Sequence, residues 1–246
     1  MIRFFALAVV VLTQSWPVIA APEEVKPGTY YREGGSGTLL IEKQGLDGQF
    51  FQIETIGGNC HLCSVGGRVH QTSGHADEGN GLTCTVSFQT VGTSIKVEPL
   101  TEEGCRDFCG ARAGFDGVYR ALSKSCTPEG RQTRWDQSLS HYKAKRYKAS
   151  KNALRSLISE CKAHMNWIEI DQVRNDLALS QYHDGSPADC LATLKSTLAG
   201  RLDDEEDLKR GDTIFLPPCD FDNYITVAKA TWFNRALCEK ALHPSR

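Results

Sequence analysis

The spacing of apolar residues changes once along this chain, near residues 104–119, and this change does most to limit the fold. Before this junction segment apolar and polar residues alternate, as they do through residues 82–89, which is typical of half-buried antiparallel strands. After Pro128 apolar residues recur about every three to four positions, as in residues 149–161, which is typical of amphipathic helices. We therefore predict an α+β protein in which a β-domain precedes a helical domain.

The β-domain is predicted to span residues 28–122 and to form a small, disulfide-bonded antiparallel barrel or sandwich. Eight short strands fit into it, and most of them are separated by glycine-rich breaks that supply the positive φ angles of hairpin turns. Two of these strands, 60–65 and 68–72, are predicted on either side of a Gly-Gly pair. A Gly-x-Tyr sequence ends at Tyr30 in the first strand and at Tyr119 in the last, which predicts that these two strands pair and close a barrel.

The helical domain is predicted to span residues 128–243. Within it, residues 175–198 resemble a degenerate tetratricopeptide unit, with a helix that carries Ala178 and Tyr182, a tight Asp-Gly-Ser-Pro turn and a second helix. Residues 135–165 resemble a second, weaker copy. The resemblance implies a helical-repeat surface of the kind that suits peptide or protein partners.

Residues 1–20 have the pattern of a secretory signal peptide. A positive charge at Arg3 precedes an apolar run over residues 4–12, and small residues lead up to Ala20, near which cleavage is predicted. The apolar run is too short to cross a membrane as a helix, so no stable membrane insertion is expected. Residues 21–27 are predicted to be a linker, and the protein is predicted to be periplasmic or secreted.

Ten cysteines, an even and high number for an exported chain, predict a set of disulfide bonds. They are Cys60, Cys63, Cys84, Cys105, Cys109, Cys126, Cys161, Cys190, Cys219 and Cys238. The first six lie in or just beyond the β-domain and the last four in the helical domain, so each domain is predicted to close its own bridges. For the helical domain we predict the pairs Cys161–Cys190 and Cys219–Cys238, whereas the pairing of the first six stays open.

A Cys-x-x-Cys sequence at Cys60 and Cys63 leaves three interpretations open. The motif follows a Gly-Gly-Asn turn and enters a predicted strand, so the helix N-terminus that lowers the thiol pKa of a redox pair is missing from its neighbourhood in sequence. This favours structural disulfides over a thiol–disulfide redox pair. The third interpretation is a metal site that adds His70 and His75, although the spacing is not that of a zinc finger.

Two charged stretches are candidate partner-binding elements. In the junction segment, Arg106 and Arg112 are predicted to face a groove between the two domains and to bind an anion or carboxylate; the alternative is that they bond only to loop carbonyls or nearby acids. The second stretch is an acidic run, predicted to be an exposed, mobile loop that is either simply solvated or offered to a cationic partner. Its residues are Asp203, Asp204, Glu205, Glu206 and Asp207.

Composition and motifs argue against several classes of function. The chain has 28 basic and 30 acidic side chains and a formal net charge of −2, so neither a nucleic-acid surface nor a polybasic membrane surface is expected. No nucleophile elbow, zinc-protease sequence or phosphate-binding loop occurs, and the seven histidines are scattered. We therefore expect a protein that is not an enzyme and needs no metal or cofactor.

The cysteine and aromatic spacing of the β-domain resembles that of uncharacterised exported proteins of Gram-negative bacteria and, more loosely, of periplasmic lysozyme inhibitors. The resemblance is carried by residues 60–65, 84–88 and 105–119. It implies a small disulfide-bonded β-barrel and an inhibitory role. We predict a non-enzymatic protein-binding protein of the cell envelope, such as an inhibitor or immunity protein against a cell-wall hydrolase or toxin. A redox or metal-binding protein and a structural envelope module are the alternatives.

Overall fold

The computed structural model describes residues 24–43, 48–77, 79 and 81–243; the predicted signal peptide lies outside these residues. It confirms an α+β protein, in which a closed antiparallel barrel precedes a helical region. The strands are β1 (Gly28–Arg32), β2 (Gly37–Lys43), β3 (Gln49–Ile56), β4 (Leu62–His70), β5 (Ser73–Asp77), β6 (Thr83–Val91), β7 (Ser94–Pro99) and β8 (Gly117–Arg120). The helices are α1 (Glu102–Arg106), α2 (Pro128–Lys143), α3 (Tyr147–Cys161), α4 (Trp167–His183), α5 (Pro187–Lys195), α6 (Glu205–Arg210) and α7 (Pro218–Leu242).

The barrel is a meander whose first and last strands meet. Each strand pairs with the next along the chain, and β1 closes the ring against β8, with Tyr31 opposite Arg120 and Arg32 opposite Tyr119. The predicted closure is therefore confirmed. Closure leaves the described strands without a free edge, and an exposed edge would be a template for pairing with other chains.

The barrel interior is filled by the apolar half of each alternating pattern. Side chains from β2, β3, β4, β6, β7 and β8 are buried together, among them Ile41, Phe51, Phe88 and Tyr119. Val25 is also fully buried in this core, so the part of the predicted linker that the structure describes packs against the barrel. The buried hydroxyl of Tyr119 donates to the carbonyl oxygen of Phe115 over 2.7 Å, and burial raises the pKa of this phenol.

The prediction of two strands separated at Gly66 and Gly67 is wrong, because β4 runs straight through this pair. A side chain at Gly67 would overlap the backbone of His75 on β5, and a side chain at Gly66 would press on the ring of Phe50. The two glycines therefore allow close approach between neighbours within the sheet and do not form a turn. The next strand, β5, begins only after the turn at Gln71, whose φ is 58°.

The junction segment contains the short helix α1, which the sequence did not predict. Two disulfides, Cys84–Cys105 and Cys63–Cys109, tie this segment to β6 and β4. Gly104 lies so close to β6 that a side chain there would overlap the carbonyl group of Thr83. The glycine and the cysteines of this segment hold it against the barrel, and Cys105 and Phe115 are buried in the barrel core.

All ten cysteines form disulfides, but the predicted helical pairings are wrong. The observed pairs are Cys60–Cys219, Cys63–Cys109, Cys84–Cys105, Cys126–Cys161 and Cys190–Cys238. The predicted partners Cys161 and Cys190 bond elsewhere because α3 packs back against the loop before α2, while α5 packs against α7. The prediction that each domain closes only its own bridges is also wrong, since Cys60 of the barrel bonds Cys219 of the helical region.

In the helical region α2, α3, α4 and α5 pack in chain order, and α7 lies against α4 and α5. A buried polar network joins α4 to α7: the hydroxyl of Tyr224 donates to Asp171 Oδ2 over 2.9 Å and accepts from the amide of Ala199 over 2.8 Å. The same carboxylate accepts from the amide of Leu198 and from Arg174. None of the helices described has the length and apolar character needed to cross a lipid bilayer.

The acidic run does not form a loop as predicted, because it begins helix α6. The side chain of Asp204 caps this helix by accepting from the amides of Glu206 and Asp207. Acidic side chains stabilise the positive end of a helix dipole, which explains why consecutive acids are tolerated here. Glu205 also bridges Lys209 and Lys229, so part of the negative charge is used inside the molecule.

Candidate functional site

A groove of about 440 Å³ lies between the barrel and the helical region. Three strands of the barrel form its floor, and the turn after β1, the start of α2 and the turn after α3 form its walls. The lining residues are Tyr31, Gly35, Ser36, Gly37, Thr38, Glu54, Thr55, Ile56, Leu62, Cys63, Ser64, Pro128, Arg131 and His164. We call this site the interdomain groove.

The register of the sheet arranges the floor in two rows on the outer face of the barrel. In one row Glu54 lies opposite Thr38 on one side and Ser64 on the other, so a carboxylate is flanked by two hydroxyl groups. In the next row Ile56 lies opposite Leu62. These two side chains are 57% and 65% exposed, so the floor presents a cross-strand apolar pair to solvent beside a polar row.

Pro128 and Arg131 of α2 form one wall. Thr127 caps this helix by accepting from the amide of Gly130, and Pro128 fits the first helical turn because its missing N–H is not needed there. The guanidinium of Arg131 is buried and makes a bidentate ion pair with Glu169, at 2.7 and 3.1 Å. It also donates to the carbonyl oxygen of Cys126. Its charge is therefore neutralised within the protein, and the wall is rigid.

His164 forms the opposite wall and carries an unsatisfied polar atom. Only 8% of this residue is exposed, and its Nδ1 atom has no hydrogen-bond partner among the residues that the structure describes. An unpaired polar atom in a buried position costs free energy. Because Nδ1 has almost no accessible surface, a molecule in the groove could bond it only after the side chain moves.

Tyr31 supplies a second polar group at the rim. Burial raises the pKa of its phenol, and the nearby carboxylate of Glu129 raises it further. The phenol therefore keeps its proton through the neutral range and can donate a hydrogen bond into the groove.

Two sets of contacts fix the groove walls relative to the floor. On one side the amide of Gly34 donates to the carbonyl oxygen of Ala163 over 2.8 Å, and Gly35 packs directly on the backbone of Met165 and Asn166. These contacts are backbone to backbone, so they leave little freedom for the two halves to slide.

On the other side the connection between β3 and β4 is fastened to the start of α7. The amide of Asn59 donates to Asp220 Oδ2 over 2.9 Å, and Asn59 Oδ1 accepts from the amide of Cys219 over 3.0 Å. The disulfide Cys60–Cys219 adds a covalent link at the same place. Ile56 and Leu62 lie at the base of this connection.

The structure does not place the predicted arginines in this groove. Arg106 lines a separate shallow cavity beside α1, and Arg112 is exposed while its carbonyl oxygen accepts from the amide of Gly58. Neither arginine lines the interdomain groove, because the junction segment is held against the barrel at β4 and β6; that they bind an anion or carboxylate stays a prediction. The nearby Asp116 pairs with Arg32.

The two cysteines of the Cys-x-x-Cys motif belong to different disulfides. Cys60 bonds Cys219 and Cys63 bonds Cys109, while His70 and His75 lie near each other on β4 and β5 with ring centroids 6.3 Å apart. In the described part of the chain, no group of three or more His, Cys, Asp or Glu side chains is placed to hold a metal ion.

Comparison with protein-family models, curated proteins and solved structures gave no match to this chain. The resemblance to lysozyme inhibitors and to tetratricopeptide units therefore rests on the sequence patterns that suggest it.

The sequence interpretation missed the residues that define the groove, although one signal was present. In β3 the outward positions Gln52 and Glu54 are polar, and the next outward position is Ile56. An apolar residue that breaks the polar face of a strand marks an exposed apolar site. No comparable signal exists for Arg131 or His164, because only the docking of the two halves brings them to the same cavity.

Proposed function

We propose that this chain is an extracytoplasmic, non-enzymatic protein-binding protein that holds an extended segment of a partner in the interdomain groove. The observation that carries the proposal is the exposed Ile56–Leu62 pair on the floor of a groove that His164 also lines. An apolar surface with a few convergent polar groups is the usual composition of a binding site. The five disulfides fit an extracytoplasmic protein, because such bonds persist in oxidising compartments.

The groove chemistry favours a peptide with an aliphatic side chain next to a basic one. The aliphatic group would cover Ile56 and Leu62, and the basic group would meet the exposed carboxylate of Glu54, which accepts a hydrogen bond from the side-chain amide of Gln52. Hydroxyl groups would bond the peptide backbone, and so would His164 once its side chain moves. The narrower form of the proposal is a basic partner, such as a lysozyme-type cell-wall hydrolase or a toxin that this protein neutralises.

The helical region supports a repeat-like scaffold behind the groove. The α2–α3 and α4–α5 turns carry the same hydrogen bonds: the amide of Arg146 donates to the carbonyl of His141, and that of Ser186 to the carbonyl of Gln181, both over 2.9 Å. Each turn also has a residue in the left-handed region, Lys145 in one and Gly185 in the other. We infer that these hairpins are two degenerate, tetratricopeptide-like units.

The test uses a displayed library of random linear peptides selected on the immobilised full chain. Selected peptides are synthesised, and their Kd values are measured by fluorescence anisotropy. The double variant Ile56→Asp with Leu62→Asp should weaken binding at least about tenfold, which corresponds to about 1.4 kcal/mol. Val91→Asp is the matched control, because Val91 is similarly exposed, at 62%, but lies outside the groove.

Peptides that bind both variants equally would place the binding surface elsewhere, and a failure to select any peptide would favour a structural envelope module. The narrower proposal, that the partner is a cell-wall hydrolase, is tested separately by inhibition of a lysozyme-type enzyme at low salt. The variant Asp203→Ser with Glu206→Ser keeps the helix cap at Asp204 and should weaken inhibition if the acidic run meets the enzyme. An unchanged inhibition would assign the contact to the groove alone.

A further inference from the structure

The disulfide Cys60–Cys219 differs from the other four in its accessibility. All ten cysteines lie within the described residues, and this is the one bridge in which neither cysteine is buried. Every other bridge has at least one cysteine with 1% or less of its surface exposed, and these are Cys63, Cys84, Cys161, Cys190 and Cys238. Exchange begins with a thiolate reaching a disulfide sulfur, so access alone singles out this bridge.

The surroundings of Cys219 favour its departure as a thiolate. Cys219 lies in the first turn of α7, a helix of 25 residues, where the helix dipole stabilises negative charge. The side-chain amide of Asn223 donates to both sulfur atoms, at 3.3 Å to Cys60 Sγ and 3.5 Å to Cys219 Sγ. The carboxylate of Asp220 opposes this effect, although it accepts from the amide of Asn59. The helix N-terminus missing from the Cys-x-x-Cys motif in sequence is thus supplied by the other half of the chain.

The backbone around Cys60 also favours release. Asn59 and Cys60 are consecutive non-glycine residues with φ values of 58° and 57°. Such left-handed conformations are costly for residues with a side chain and persist only where the surroundings hold them. The bridge to Cys219 is one of the contacts that hold this connection, so breaking the bridge lets the strained segment relax.

We propose that Cys60–Cys219 is a thiol–disulfide exchange site whose substrate is an extracytoplasmic dithiol protein, and that its oxidation state controls the interdomain groove. The claim that the oxidation state controls the groove rests on the proposed function above, whereas the exchange chemistry does not depend on it.

The exchange runs in two displacement steps. A thiolate of the dithiol attacks Cys60 Sγ, the Cys60–Cys219 bond breaks, and Cys219 leaves with the electron pair as a thiolate that then takes up a proton. The partner's second thiolate then attacks the partner sulfur that is bonded to Cys60 in the mixed disulfide. Cys60 is released as a thiolate, which is protonated in turn. Two electrons and two protons pass to the protein, and the partner dithiol becomes a disulfide.

The link to binding follows from the position of the bridge. It fastens the connection between β3 and β4, and the two residues at the base of that connection, Ile56 and Leu62, form the apolar part of the groove floor. Reduction removes the covalent link between this connection and α7 and leaves the hydrogen bonds of Asn59 to Cys219 and Asp220. The floor then moves more freely against the helical wall, and a bound peptide loses a preorganised site.

The exchange is tested on the full oxidised chain without any ligand. The protein is treated with dithiothreitol under native conditions, free thiols are alkylated at intervals, and labelled peptides are mapped by mass spectrometry. Cys60 and Cys219 should be labelled at least about tenfold faster than the other eight cysteines, because attack depends on access to sulfur. Simultaneous labelling of all cysteines, or earlier labelling of another pair, would overturn the exchange site.

The effect of this disulfide on peptide binding is tested with the peptides selected above. Cys60→Ser with Cys219→Ser should lower peptide affinity about as much as reduction lowers it in the wild type. The control variant is Cys190→Ser with Cys238→Ser, which removes a bridge away from the groove. If the first variant does not fold, peptide binding by the partly reduced wild type decides. Unchanged binding after selective reduction would overturn the proposal that the oxidation state regulates the groove. It would leave the exchange site standing, and it would not bear on whether the groove binds peptides.

Discussion

The amide of Gly34 in the barrel donates a 2.8 Å hydrogen bond to the carbonyl oxygen of Ala163 in the helical region. The adjacent Gly35 has a φ of 67°, and a side chain built on it would overlap the backbone of Met165 and Asn166. Gly34 has a φ of 84°, but nothing lies within 4 Å of the place that a side chain would take. Both glycines have a φ that favours glycine, and only at Gly35 does docking also require that no side chain is present.

Gly35→Ala should therefore destabilise the protein much more than Gly34→Ala. Both changes place a side chain on a left-handed residue, at a cost of about 1–2 kcal/mol, and only Gly35→Ala adds a clash with the helical region. The free energy of unfolding from urea denaturation measures the difference. Equal losses for the two variants would show that the turn does not dock as closely as the structure has it.

Arg131 and Glu169 form a nearly buried ion pair at the wall of the groove, with side chains 9% and 18% exposed. Arg131→Leu should cost about 3–5 kcal/mol, because it leaves a carboxylate without its partner in a poorly solvated place. The double variant Arg131→Leu with Glu169→Leu should recover part of that loss. Urea denaturation of both variants and of Glu169→Leu gives the coupling energy.

The exposed pair of Arg155 and Asp189 is the matched control for this cycle, since its side chains are 47% and 55% exposed. Water screens such a pair, so Arg155→Leu should cost less than about 1 kcal/mol. A loss at Arg131 no larger than the loss at Arg155 would contradict the role given to the buried pair.

Tyr224→Phe should destabilise the contact between α4 and α7. The hydroxyl of Tyr224 donates to Asp171 and accepts from the amide of Ala199, so its removal leaves a buried N–H without an acceptor. The expected loss is about 1–3 kcal/mol. Tyr147→Phe serves as the control, because Tyr147 is only partly buried and its ring packs against Tyr142 and His183. Thermal unfolding that is unchanged in Tyr224→Phe would rule out this network as a source of stability.

Asp176 should make the protein less stable as the pH rises from the acid range. Burial raises the pKa of this carboxyl above its usual value, and the 2.6 Å hydrogen bond from Trp135 Nε1 lowers it only in part. A group whose folded pKa is raised contributes stability below its unfolded pKa of about 3.9, and this contribution is lost as the pH rises through the folded pKa.

Asp176→Asn keeps an acceptor for Trp135 and cannot ionise, so at pH 7 this variant should be more stable than the wild type. The advantage should shrink as the pH falls toward the unfolded pKa. Asp136→Asn, which changes an exposed acid on α2, should show no such trend. Urea denaturation at a series of pH values measures both, and a variant that is less stable than the wild type at neutral pH would contradict the sign.

The sequence was most informative wherever a residue's environment follows from its neighbours along the chain. The alternation through residues 82–89 predicted a half-buried strand, and β6 buries Cys84, Val86 and Phe88. The proline at the start of α2 and the turn before Pro187 likewise begin helices. Local patterns succeed here because burial of one face of a strand or helix repeats with the period of that element.

Local patterns failed where a residue's role depends on a distant partner. Gly66 and Gly67 looked like a turn, and they are glycines because β5 and Phe50 crowd the strand. The acidic run looked like a solvated loop, and it is the capped start of α6, held in part by Lys229 from α7. For the glycines the deciding contact comes from another element. For the acidic run the cap at Asp204 is local, and only the ion pair with Lys229 comes from another element.

The sequence by itself determined the class of this protein: a small antiparallel β-domain, barrel or sandwich, followed by helices and held by disulfides. The period of the apolar pattern and the number of cysteines can both be read from the sequence without knowing the fold. The tertiary structure decided the pairing of Cys60 with Cys219 and the interdomain groove, which joins Ile56, Leu62 and His164. Two halves with separate cores can be docked in many ways, and the contacts of Gly34, Gly35 and Asn59, together with the Cys60–Cys219 disulfide, select the one that forms a site.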